Sequence, residues 1–316
     1  MTVKRFGLAA IVFAFAGASL ALSATAAPAP SGSLVRHGVS VKGMNRSYLQ
    51  YVPRNLKPNS PLLFVFHGSG GDGEGMREIT GAEFDVLADT NSFVVVYPDG
   101  FQNTWNDCRK ASPQPARRMN IDDKSFIDAM IEKQVADSRI DRRRIFAAGC
   151  SNGGQLAYRL ALERPEQFAG VASISASRPT MENLACTPTD KPMAVMIING
   201  TADPINPFNG GEVKLGFSSL GNVLSSRETG QYFARLNGIT KEPVTTRLPH
   251  RTPSDPTSVD QISWSEPGKP PVMLYAVNGG GHVVPNRVFD FGGGQTRDLD
   301  APVAIWDFFS KVPIRE

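Results

Sequence analysis

Gly149-Cys150-Ser151-Asn152-Gly153-Gly154 places a serine between glycines two residues to either side. Arg144-Ile145-Phe146-Ala147-Ala148 before it reads as a short buried strand. Gln155 to Leu162 after it are good helix formers that stop before Pro165. A G-x-S-x-G pentapeptide at a strand-to-helix turn is the pattern of a nucleophile elbow. So sharp a turn forces strained backbone angles on the serine, and side chains two positions away would collide. In return the hydroxyl stands above the sheet, beside the unpaired N–H groups of a helix N-terminus. The chemistry suggested is nucleophilic attack on a carbonyl.

A serine hydroxyl needs a general base, normally histidine. The chain has four histidines, so elimination is possible. His37 sits in an N-terminal hairpin, His67 ends a strand and opens a glycine loop, and His250 lies among polar residues. His282, in Gly279-Gly280-Gly281-His282, follows a strand late in the chain, as the order Ser…Asp…His demands. It is the expected base. The carboxylate that orients it should lie between serine and histidine, just past a strand. Asp203, in Asn199-Gly200-Thr201-Ala202-Asp203-Pro204, meets both conditions, whereas Asp190, Asp255 and Asp260 follow no strong strand. A tetrahedral oxyanion needs two aimed N–H donors. The N–H of Asn152 is one, and the N–H of Ser69 in His67-Gly68-Ser69-Gly70 is the expected other.

These residues need a scaffold, and the order of apolar runs supplies one. Leu34–Val41 and Ser47–Val52 read as a hairpin. The runs 61–66, 93–98, 144–148, 171–175, 193–198 and 272–277 read as strands, with helices near 76–88, 123–138, 155–162 and 301–309 between or after them. Strands covered on both faces and alternating with helices imply an α/β fold, a mostly parallel sheet with helices on both faces. The section from Pro204 to about Ser265 breaks the rhythm and reads as an insertion between the acid strand and the histidine strand. It contains a helix from Ser226 to Leu236, capped by Ser225 with Glu228 three residues on.

Composition narrows the setting. Lys4 and Arg5 precede an apolar run to Leu22, and Ala24-x-Ala26 offers small residues for cleavage. This is the pattern of a secretory signal peptide over residues 1–26, leaving 27–316 as one catalytic domain, exported and free of the membrane. Losing Lys4 and Arg5 lowers the formal charge from +3 to about +1, which makes no electrostatic case for nucleic acid. Three cysteines are present, and Cys108 and Cys186, both in loops, are candidates for a disulfide in an oxidising compartment. Their spacing is not that of metal ligands.

A rival reading starts from the same glycine loop. Gly68-x-Gly70-x-x-Gly73 between strand and helix matches a dinucleotide fingerprint, with Asp89 or Asp99 as ribose acids. The motif is weak alone, an exported protein meets little NAD, and the loop is already needed by the serine chemistry. A non-catalytic binding protein on the same fold would be marked by loss of the serine, aspartate or histidine, and all are present.

With these residues in hand, the chain resembles the secreted polyhydroxybutyrate depolymerase/feruloyl esterase (LpqC-like) family of α/β-hydrolases. The resemblance rests on His67-Gly68, Tyr97-Pro98-Asp99-Gly100, Trp105-Asn106-Asp107, Asp122-Asp123, the elbow, Gly200-Thr201-Ala202-Asp203-Pro204 and Gly280-Gly281-His282, spanning about residues 34 to 312. It implies a serine carboxylesterase with no cofactor, acting on small or oligomeric esters such as hydroxybutyrate oligomers or feruloyl esters. Asn199 stands where the family usually has histidine, and Val283-Val284-Pro285-Asn286 where it often has Trp-Pro-Gly. Phe101, Trp105 and Phe208, in loops expected at the sheet's C-terminal edge, are candidates either to line an apolar or aromatic acyl pocket or to pin those loops to the core.

Overall fold

The computed structural model describes residues 29–138, 140–288 and 292–314; the leader predicted over residues 1–26 lies outside them. In chain order the elements are β1 (Ser33–Val41), β2 (Met44–Val52), β3 (Ser60–Phe66), α1 (Gly73–Ile79), α2 (Glu83–Asn91) and β4 (Val94–Pro98). After them come α3 (Pro115–Arg118), α4 (Asp123–Ser138), β5 (Ile140–Cys150), α5 (Asn152–Glu163), β6 (Gly170–Ile174) and β7 (Ala194–Gly200). The last are β8 (Gly211–Leu215), β9 (Ser218–Val223), α6 (Ser226–Leu236), β10 (Val244–Arg247), β11 (Ser258–Trp264), β12 (Val272–Asn278) and α7 (Ala301–Ser310).

One ten-stranded sheet runs in the order β1-β2-β4-β3-β5-β6-β7-β12-β11-β10. Its centre, β4 through β12, is parallel, and antiparallel strands extend both edges. Alternation along each central strand sorts side chains onto two cores. Leu62, Phe64 and Phe66 of β3 pack in a cluster with Phe126 and Met130 of α4, Leu156 of α5 and Phe233 of α6. Leu63 and Val65 pack on the other face with Met76 of α1, Phe84 of α2 and Ile305 of α7. Every residue of β3 and β7 is buried, which explains their unbroken apolar runs.

Two expectations need correction. The helix expected over 76–88 is two helices, α1 and α2, because Gly81 (φ +65°) and Ala82 (φ 52°) take left-handed backbone between them. The section after Pro204 is also less foreign than it read. α6, closed by the Ser225/Glu228 capping box, packs on β7 and β12, and β10 and β11 extend the main sheet. Only the small β8–β9 hairpin stands apart. Its alternation is carried by few buried residues, Val213, Leu220 and Val223, so the apolar pattern alone does not mark it as a hairpin. No helix among the described residues is long and apolar enough to cross a membrane.

Candidate active site

The parallel strands deliver every residue of interest to one edge, since the loops after β3, β5, β7 and β12 all leave from C-terminal ends. At the end of β5, Ser151 takes φ 54°, ψ −115°. A Cβ on Gly149 would lie 2.4 Å from the carbonyl carbon of Gly153, and one on Gly153 would lie 2.5 Å from the Phe66 carbonyl oxygen. Glycine at both positions is therefore steric necessity. The Ser151 N–H donates to the Ile174 carbonyl at 2.8 Å, which pins the elbow to β6.

After β7, Asp203 is buried, and its Oδ1 accepts from the N–H groups of Ile205 and Asn206 at 2.8 and 2.9 Å. Its Oδ2 meets His282 Nδ1 at 2.8 Å. With that nitrogen donating to the carboxylate, Nε2 of His282 is left as the acceptor. Ser151, His282, Gly68 and Ser69 line a single cleft of ≈ 340 Å³. The arrangement is that of a hydroxyl, an oriented imidazole and a carboxylate around one concave site.

Asn152 opens α5 with its side chain turned away from the cleft. Its Oδ1 accepts from the Trp105 N–H at 2.7 Å, and its Nδ2 donates to Asp107 at 2.6 Å. These bonds fix the residue whose N–H was expected to meet the oxyanion. The Ser69 hydroxyl accepts from Gln114 Nε2. His67 plays the structural part: its Nδ1 donates to the Gly68 carbonyl at 2.7 Å and its Nε2 accepts from the Gly100 N–H at 2.9 Å. Burial holds its pKa below the usual imidazole range. His37 stacks on Tyr48, and His250 pairs with Asp298 at 2.9 Å, away from the cleft.

The aromatic residues expected to line an acyl pocket do not line this cleft. Trp105 is fully buried and donates from Nε1 to the His67 carbonyl at 2.9 Å. Phe101 is half-buried in a turn bridged to Thr104, and Phe208 packs against the core beneath the loop. Trp105 and Phe208 pin their loops to the core. The apolar walls are instead aliphatic: Met76 and Ile79 from α1, Ile205, and Val213, Leu215 and Leu220 from the β8–β9 hairpin. Arg109 and Gln155 also line it, and no sequence motif singles out Gln155. The one available signal was the adjacency of Arg109 to Trp105-Asn106-Asp107.

Cys108 and Cys186 are bonded, with Cα atoms 5.1 Å apart, while Cys150 is free and buried. The acids of the dinucleotide reading are engaged elsewhere. Asp99 accepts from Gly73 N–H and from Ser47 and Arg36 side chains, and Asp89 accepts from the Tyr51 hydroxyl and from Ser31. Asn199 ties β7 to the loop after β6, accepting from the Ala176 N–H and donating to Ser226 Oγ.

Sheet order and the placement of the elbow define an α/β-hydrolase. The sequence profile of the phospholipase/carboxylesterase family matches residues 50–217, and the chain belongs to that family as a carboxylic ester hydrolase. Over 297 residues it is 30% identical to NocK of Nocardia uniformis subsp. tsuyamanensis, a protein carrying an esterase name, with 89% of this chain and 84% of that one covered. Feruloyl esterase D of Neurospora crassa is 27% identical, covering 92% of this chain and 93% of its own length. Among solved structures, an acetyl xylan esterase from Aspergillus awamori superposes with a TM-score of 0.58 at 16% identity, over 87% of this chain and 99% of that chain, a likeness of fold.

Proposed function

We propose that the chain is an exported serine esterase that cleaves carboxylic esters through an acyl-enzyme. The observation that carries this is the His282–Asp203 bond at 2.8 Å in the cleft that also holds Ser151. Ser151 Oγ attacks the ester carbonyl while His282 Nε2 takes its proton, and Asp203 stabilises the imidazolium. The N–H groups of Asn152 and Ser69 receive the oxyanion. Collapse breaks the C–O bond, and the leaving alcohol takes the proton from His282. Water, deprotonated by the same nitrogen, then attacks the acyl-enzyme; the acid leaves and Ser151 regains its proton.

The aliphatic walls favour an aliphatic acyl group, of the hydroxybutyrate-oligomer kind, over an aromatic one. The feruloyl reading is the second, supported by the names of relatives. Export through the leader fits the Cys108–Cys186 bond, since disulfides persist in oxidising compartments.

Initial rates on a soluble 3-hydroxybutyrate oligomer and on methyl ferulate test the reading, with Ser151→Ala as the blank. Faster cleavage of the oligomer is expected. A marked preference for the ferulate would reverse the choice of acyl group, and full activity in Ser151→Ala would remove the serine mechanism.

A further inference from the structure

Arg109 lines the cleft although only 4% of it is exposed. Its guanidinium is held from one side. Nε lies 3.2 and 3.1 Å from the two Asp107 oxygens, and Nη2 lies 2.5 Å from Oδ2. Asp107, itself buried, also accepts the Arg109 N–H at 2.8 Å and Asn152 Nδ2 at 2.6 Å. A planar fork fixed in this way is pre-organised, and its remaining donors cost little entropy to use. Among the described residues, no hydrogen-bond partner accounts for Nη1 of Arg109. Nη1 is not among the buried unpartnered atoms, so it keeps contact with solvent, and it can donate to a ligand without breaking a bond within the protein.

The other polar side chains of the cleft wall each have a bond within the protein, and none carries a fixed positive charge. Gln155 donates from Nε2 to the Ser177 carbonyl at 2.8 Å, and its Oε1 is an acceptor. Ser175 Oγ donates to the Val283 carbonyl at 3.3 Å, and His67 has both ring nitrogens engaged. Asn206 directs Nδ2 toward Ser177 Oγ. Among the residues that line the cleft, Arg109 is the one arginine or lysine, and so the one permanently charged donor.

We propose that Arg109 anchors a second carbonyl oxygen of the substrate, so that the site selects esters bearing another ester or carboxylate group beyond the scissile one. The proposal rests on the serine-esterase reading and specifies its substrate class as oligoesters and their half-acids over simple alkanoate esters. Asp107 balances the guanidinium charge, so a neutral ester carbonyl and a terminal carboxylate can both accept from it. Because Asp107 also holds Asn152, a substrate bound at Arg109 is registered against the N–H that receives the oxyanion. Arg109 is thus a binding and specificity residue, and the reacting bond remains at Ser151.

The test is kcat/KM for three substrates: ethyl butyrate, the methyl ester of a 3-hydroxybutyrate dimer, and the same dimer as free acid. The two dimers separate a neutral carbonyl from a carboxylate as the bound group. The wild-type enzyme is expected to prefer at least one dimer over ethyl butyrate. Arg109→Met is expected to reduce that preference by about 10- to 100-fold, chiefly through KM, the size of a lost hydrogen bond to a charged group. Arg109→Lys, which keeps a cationic donor, should recover part of it and serves if Arg109→Met does not fold. No dimer preference in the wild type, or a preference unchanged in the variants, would overturn the proposal while leaving the esterase intact. Cleavage of none of the three by wild type would instead overturn the esterase reading, and the proposal with it.

Discussion

Asn152 Nδ2 donates to the Asp107 carboxylate at 2.6 Å, joining the residue after Ser151 to a buried loop outside the sheet. The loop is held in turn by Trp105, whose indole donates to the His67 carbonyl, and by the bond from Cys108 to Cys186. Position of the expected oxyanion donor therefore depends on side chains 45 and more residues away. Asn152→Ala keeps the backbone N–H but leaves Asp107 and the Trp105 N–H short of partners. It should cost about 1–3 kcal/mol of stability per group left unsatisfied, together with a loss of kcat. Thermal melting and initial rates check both; an unchanged melting temperature would mean the clamp carries no load.

Asp203→Asn should leave substrate binding nearly intact while kcat drops about 10⁴-fold, because an amide does not hold His282 in the tautomer that leaves Nε2 free. A loss confined to KM would argue that Asp203 serves the loop, through Ile205 and Asn206, and not the imidazole.

Cys108 and Cys186 close a loop of sequence separation 78. Replacing both with serine should destabilise the protein by about 2–5 kcal/mol, read as a lower denaturant midpoint. Thiol titration of the unfolded, unreduced chain should find Cys150 alone. In the native protein Cys150 should alkylate slowly at pH 8, since burial pushes its thiol up to about 12 and the thiolate is scarce.

Glu83 supplies a pH dependence of stability. Burial and the neighbouring Asp300 push its carboxyl from 4.5 up to about 8. Its folded pKa is above its unfolded one, so the folded state holds the extra proton between these values. The contribution is fully present below about pH 4.5 and is lost as pH rises through about 8. Glu83→Gln should flatten the fall in melting temperature between pH 5 and 8. Parallel curves for the two proteins would place the titrating group elsewhere.

The sharp turn at Ser151 and the Asp203–His282 pair were legible because each is fixed by local rules. Gly149 and Gly153 mark the turn by steric demand, Asp203 follows the apolar run of β7, and His282 follows that of β12. The acyl pocket was not legible in the same way. Whether a loop aromatic faces the cleft or the core depends on what lies beneath it, and Trp105 points inward because its indole finds the His67 carbonyl. The β8–β9 hairpin shows the converse case: most of its exposed residues are polar or glycine, yet Val213 and Leu220 reach the cleft. Arg109 escaped notice because a lone arginine near an aspartate reads as a surface pair until its burial is known.

The most direct test of the account is covalent labelling with an alkyl fluorophosphonate, followed by peptide mass mapping. A serine nucleophile displaces fluoride and forms a stable phosphonyl ester. One label per chain is expected, on the peptide carrying Ser151, with esterase activity lost in proportion and neither event in Ser151→Ala. Labelling at another residue, or esterase activity that survives in Ser151→Ala, would contradict it.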